Sequence, residues 1–71
     1  MISVAKNERM KELRYQQKKP QALLALETSI DSSTISRIEG GYLRPSKRQS
    51  EAIAKALGVE VEWLFGETDG D

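Results

Sequence analysis

The feature that most constrains this chain is a pair of helix-length segments, Gln21–Thr28 and Ser32–Glu39, separated by three residues. Within each segment the apolar residues recur at helical rather than strand spacing. So short a connection forces two helices to cross at a steep angle and to share one small core. The residues suit that crossing. Ala25 is small where the two axes approach, and Leu24, Ile30, Ile35 and Ile38 supply the shared apolar surface. Ser32, Ser33, Ser36 and Arg37 fall on the other side of the second segment, free to point outward.

The rest of the chain divides at its breakers into further short helices. A first helix is expected over about Ala5 to Gln17, with Met10 and Leu13 inward and either Ser3 or Asn7 as N-cap. The second, about Gln21 to Thr28, is entered through Pro20, whose missing N–H is no loss at a helix start. Asp31 is placed to cap the third, which Gly40-Gly41 ends. Ser46, after Pro45, caps a fourth that carries Ile53, Ala54 and Leu57 on one stripe as far as Gly58. A short fifth spans about Glu60 to Phe65. No segment alternates apolar and polar residues long enough for a strand. The expectation is an all-α, compact five-helix domain over residues 7–66, preceded by a short segment (1–6) and followed by an acidic tail (67–71).

Composition narrows function by elimination. Cysteine and histidine are both absent from the 71 residues. That removes disulfides, thiolate nucleophiles, the usual zinc ligands and the side chain best suited to proton shuttling near neutrality. No phosphate-cradling glycine loop or carboxylate pair at catalytic spacing is visible, so no enzyme, cofactor or metal is expected. No apolar run reaches the roughly 20 residues of a membrane span, and the first residues lack a signal-peptide core, which fits a cytoplasmic protein. Formal charge is zero, but it is unevenly spread. Residues 1–50 hold ten basic side chains against five acidic ones, whereas residues 51–71 hold Lys55 against six acids. Such a division points to a basic face for a polyanion and an acidic back; the plainer alternative is a mixed, solubilising surface.

Several strings in fixed order carry a family resemblance. They are Met10-Lys-Glu-Leu-Arg14, Gln21 to Ala25, and Ser33-Thr-Ile-Ser-Arg-Ile-Glu39 followed by Gly41. Pro45-Ser46, Ile53-Ala-Lys-Ala-Leu-Gly-Val59 and Trp63-Leu-Phe65 complete the series. Together they resemble the phage repressor and Cro-type (XRE) helix-turn-helix family over residues 7–66. The resemblance implies a lambda-repressor-like fold. It also implies a sequence-specific regulator of transcription, expected to be a repressor, that binds a palindromic duplex operator as a homodimer.

The resemblance also assigns residues. Ser32, Ser33, Ser36 and Arg37 match positions that face base edges from a recognition helix, about residues 32–39, lying in the major groove. Gln21, Gly41, Tyr42, Arg44 and Lys47 match positions that meet backbone phosphates. Arg14 and Glu39 match a structural ion pair. Elementary chemistry agrees: helix N-termini and cations suit phosphates, and an arginine can donate twice to guanine O6 and N7. The plainer alternative for the serines is a solvent-facing role. Trp63 is expected in the core or at a subunit interface, and Lys18-Lys19 as cations favoured at a helix end.

Some residues depart from the family habit. Ser29 stands where a turn glycine is usual; in a left-handed conformation it would cost on the order of 1 kcal/mol. Lys18 and Lys19 replace a glycine and an apolar residue. Lys47 and Ser50 replace residues that are often leucine, and Leu43 is expected to swing inward to fill the gap. Leu23 and Leu26 form an exposed apolar strip that hints at a protein partner. That leaves a second function class, a protein-interaction module on the same scaffold, such as an antitoxin or antirepressor partner.

Overall fold

A computed structural model describes residues 7–66; the segment 1–6 and the acidic tail 67–71 lie outside the described residues. Five helices follow in order: α1 (Glu8–Gln16), α2 (Gln21–Thr28), α3 (Ser32–Gly40), α4 (Lys47–Leu57) and α5 (Val61–Phe65). The all-α, five-helix expectation holds, with α2 and α3 at its centre. Of the two caps proposed for α1, Asn7 serves: its side chain accepts from the Met10 N–H at 2.9 Å. The same side chain donates to the Leu64 carbonyl at 3.0 Å, and its backbone N–H donates to the Glu39 carbonyl at 2.9 Å. One short residue thereby fixes the start of α1 against the ends of α3 and α5.

The remaining boundaries follow from local chemistry. Asp31 caps α3 by accepting from the Thr34 N–H. Ser46 and Gln49 form a reciprocal capping box at the start of α4. Gly41 and Gly58 close α3 and α4 in left-handed conformations, φ 84° and 78°, which glycine adopts without steric cost.

The core is formed by Met10, Leu24, Ile35, Ile38, Ile53, Ala54, Leu57 and Leu64, all buried. Leu13, Ala25, Ile30, Val59, Val61 and Phe65 pack around it, half-buried. Ile35 and Ile38 drive one face of α3 into this core, so the helix is held along its length by burial.

One expectation fails here. Leu43 does not swing inward; it stays more than a third exposed, and Lys47 beside it is also exposed. Ser50, by contrast, is buried, with its hydroxyl donating to the Ser46 carbonyl at 2.8 Å. A hydroxyl satisfied within its own helix can occupy an apolar site without leaving an unpaired polar atom. Of the two places expected for Trp63, core or subunit interface, the core does not hold. The residue is 46% exposed, and Leu64 takes the buried position on α5. A five-residue helix turns only one narrow face inward, and Leu64 occupies it.

Lys19 does more than sit favourably at a helix end. Its Nζ donates to Glu27 Oε1 at 3.0 Å and to the Ala56 carbonyl at 2.7 Å, joining α1's exit to α2 and α4.

Ser29 and Lys18 are left-handed, at φ 61° and 58°. For an L-residue with a side chain that conformation costs roughly 1–2 kcal/mol. Glycine relieves it but loses about 0.4–1 kcal/mol through its freer unfolded chain. Ser29→Gly should therefore raise stability by roughly 0.5 kcal/mol, seen as a higher urea midpoint at unchanged slope.

Candidate nucleic-acid interface

The geometry of α3 divides its residues cleanly. Ile35, Ile38 and Glu39 are buried, while Ser32, Ser33, Ser36 and Arg37 are all exposed. A helix anchored on one side with a short-chained polar face on the other can approach a groove without moving its backbone. Arg37 is the one long cation on that face. Beyond α3, Gly41 turns the chain, and the Tyr42 and Leu43 N–H groups bond back to the Arg37 carbonyl at 2.8 and 3.2 Å. Tyr42 projects 83% exposed, its ring lying against Gly40, where an added Cβ would come within 2.9 Å of it. Arg44, Lys47 and Arg48 follow, all exposed. The ridge from Arg37 to Arg48 thus carries four cations, with Glu39, its sole acid, turned into the core.

That acid is held by Arg14. The guanidinium makes two bonds to Glu39, Nε to Oε1 at 3.1 Å and Nη2 to Oε2 at 2.9 Å, both side chains about 7% exposed. Nη1 donates to the Lys19 carbonyl at 3.0 Å. Gln21 joins the same network, its Nε2 donating to Glu39 Oε1 at 3.0 Å. The first residue of α2 is therefore oriented by the last turn of α3 through a carboxylate that α1 neutralises. Sequence reasoning placed Gln21 only at a phosphate. Its structural bond to Glu39, 18 positions away, has no local signal in the chain.

Asp31, at the start of α3, received no role beyond capping in the sequence. In the structure it accepts three bonds: from Ser33 Oγ at 2.7 Å, Thr34 Oγ1 at 2.8 Å and the Thr34 N–H at 3.2 Å. Hydrogen bonds from the Ser33 and Thr34 hydroxyls and the Thr34 amide lower its pKa from 3.8 to about 2. The folded value lies below the ordinary one, so the carboxylate's contribution to stability is complete above the ordinary value. It is lost as pH falls through about 2. Titration of the Asp31 carboxyl by NMR should give a midpoint near 2, and Asp31→Asn should remove that part of the acid dependence. A midpoint at the ordinary 3.8 would show that the three bonds do not persist in solution.

Among the described residues no helix is long and apolar enough to cross a membrane. A core-anchored helix with an outward polar face, entered by a three-residue turn and followed by a cationic ridge, defines the class of helix-turn-helix DNA-binding regulators. Comparison with known proteins agrees. The family described as Helix-turn-helix matches residues 10–64. No curated protein matches the chain by sequence. Among solved structures, the chain is similar to the restriction-modification controller protein C.AhdI from Aeromonas hydrophila. That match has a TM-score of 0.78 and 30% identity, covering 83% of this chain and 89% of that one. It is also similar to the P22 c2 repressor protein, solved in complex with a synthetic operator. There the TM-score is 0.80 at 28% identity, covering 92% of this chain and 94% of that one. The chain belongs to the helix-turn-helix family, as a DNA-binding transcriptional regulator of Cro/C1 type.

Proposed function

We propose that this chain is a sequence-specific repressor that acts by occupancy, laying α3 in the major groove of an operator and performing no chemistry on the DNA. The carrying observation is the division of α3 itself, with Ile35 and Ile38 buried and Ser32, Ser33, Ser36 and Arg37 exposed. A groove about 12 Å wide admits a helix presented in this way. Ser32, Ser33, Ser36 and Arg37 face base edges. Gln21, Gly41, Tyr42, Arg44 and Lys47 meet phosphates on either side. The first N–H groups of α2 support this placement at Gln21, since Pro20 caps that helix without a side-chain bond.

Repressors of this size gain affinity by pairing on two-fold sites, and a homodimer engages two half-sites about one turn apart. Trp63 favours α5 for the contact between copies, because it leaves half an indole in solvent. The proposed site of action is the cytoplasm. Selection from random duplexes at moderate salt tests the whole proposal. The expected result is an enriched palindrome whose affinity falls steeply with added salt.

One observation favours a second reading. Leu23 and Leu26 on α2 are 38% and 78% exposed, a pair of leucines that the described residues leave uncovered. A protein-interaction module would use them. Binding to duplex DNA that is absent at low salt would favour that reading over the first.

A further inference from the structure

Ser33 is a hydroxyl on the proposed base-reading face, and a free hydroxyl can donate or accept, so by itself it discriminates poorly between bases. Here the ambiguity is removed. The Ser33 proton is already given to Asp31 Oδ2 at 2.7 Å, leaving only oxygen lone pairs to face outward. Thr34 Oγ1 likewise gives its proton to Asp31 Oδ1 at 2.8 Å. The carboxylate needs only the Thr34 N–H bond to cap α3; the two hydroxyl bonds are additional. The Asp31, Ser33 and Thr34 side chains therefore present acceptors alone, while Arg37, one turn beyond Ser33, presents donors alone. A carboxylate so exposed also opposes a polyanion, which makes it costly in a DNA-facing surface unless it receives a donor there.

We propose that Asp31 is a specificity-determining residue: by taking the Ser33 proton it makes the Asp31–Ser33 pair a reader of an exocyclic amino group, cytosine N4 or adenine N6. This rests on α3 lying in the major groove, as proposed above. Those two amino groups are the base-edge donors of that groove, and guanine O6 and N7 are the matching acceptors for Arg37. Each half-site accordingly carries adenine or cytosine, rather than thymine or guanine, on the strand met by the start of α3, beside the guanine met by Arg37. Asp31→Asn reverses the arrangement. Its amide still caps the helix, because Asn and Asp are equivalent N-caps, but it supplies donors. With the amide oxygen in the Oδ2 place Ser33 keeps its acceptor, but the amide nitrogen takes the Oδ1 place and presents donors, so the preference at that pair moves towards guanine or thymine, whose O6 and O4 accept.

The test uses the duplex selected by the unsubstituted protein. Each cytosine in turn is replaced by its 2-pyrimidinone analogue and each adenine by purine, which deletes the amino group alone. Binding is compared for the unsubstituted protein, Asp31→Asn and Ser33→Ala, so that any weakening of the duplex itself cancels. At one pair per half-site the deletion should weaken the unsubstituted protein about tenfold, consistent with one hydrogen bond involving a charged group. Both variants should be indifferent to that deletion, while keeping the native helical spectrum and the preference for guanine at the Arg37 pair. If every deletion affects the three proteins equally, Asp31 is a helix cap only and the inference is overturned. If the unsubstituted protein enriches no duplex, the proposed function itself fails and carries the inference with it.

Discussion

Replacing Glu39 with alanine is expected to cost about 3–5 kcal/mol, the usual penalty for stranding one charge of a buried pair. At roughly 0.05–0.15 kcal/mol per residue, the whole domain has only about 4–10 kcal/mol to lose. The variant should therefore lose from about a third to all of its stability. Arg14 would forfeit both of its carboxylate bonds while remaining about 93% buried, and Gln21 Nε2 would lose its acceptor as well. The Lys19 carbonyl alone would remain to the guanidinium. Urea titration measures the loss. A paired replacement, Arg14→Met with Glu39→Leu, should recover most of it, because two apolar side chains of similar volume remove the desolvation cost together with the attraction. If Glu39→Ala leaves the midpoint in place, the pair is hydrated in solution and does not hold α1 to α3.

The chemistry that made α3 legible in the sequence is local. Asp31, Ser46, Gly41 and Gly58 mark helix ends through bonds spanning three or four residues, so their meaning survives without knowledge of the fold. The core positions Met10, Leu24, Ile35, Ile38, Ile53 and Leu57 were legible through helical periodicity for the same reason. The harder choices lie among neighbours. Leu43 stays outside, whereas Ser50 is buried because a bond within its own helix makes that burial inexpensive. Trp63 and Leu64 stand side by side on a five-residue helix, and only Leu64 is in register with its buried face. The Trp63 ring instead receives the Arg9 guanidinium at 4.9 Å.

The candidate site divides in the same way. Exposure of Ser32, Ser33, Ser36 and Arg37 follows from the period that buries Ile35 and Ile38, so the outward face could be named in advance. What those residues present was not legible. A serine reads as donor and acceptor in any sequence, and only the 2.7 Å bond to Asp31 gives it one sense. Lys19 resembled a solvated cation until its bonds to Glu27 and the Ala56 carbonyl joined three helices.

Substitution of Arg37 and of Arg44 should separate recognition of sequence from attachment to the backbone. Both residues are exposed cations, seven positions apart, and simple loss of charge would treat them alike. Their settings differ. Arg37 extends from the outward face of a helix whose other face is fixed by Ile35 and Ile38, so its guanidinium has a defined origin from which to meet one base pair. A bidentate contact to guanine discriminates by about 1–3 kcal/mol against the wrong base. Arg37→Ala should flatten the selected preference at one pair per half-site and leave the other positions ordered as before. Arg44 lies past the Gly41 turn, outside α3 and before α4, and in the proposed placement its cation neutralises a phosphate instead of reading a base edge. Arg44→Ala should weaken every duplex by the same factor and reduce the logarithmic salt slope by about 0.9 for each phosphate left without its cation. Binding measured across a salt series, on the selected duplex and on single-pair variants of it, distinguishes the two. Equal effects on base preference would show that α3 does not lie in the major groove, since a helix held against the backbone alone gives all its cations the same part.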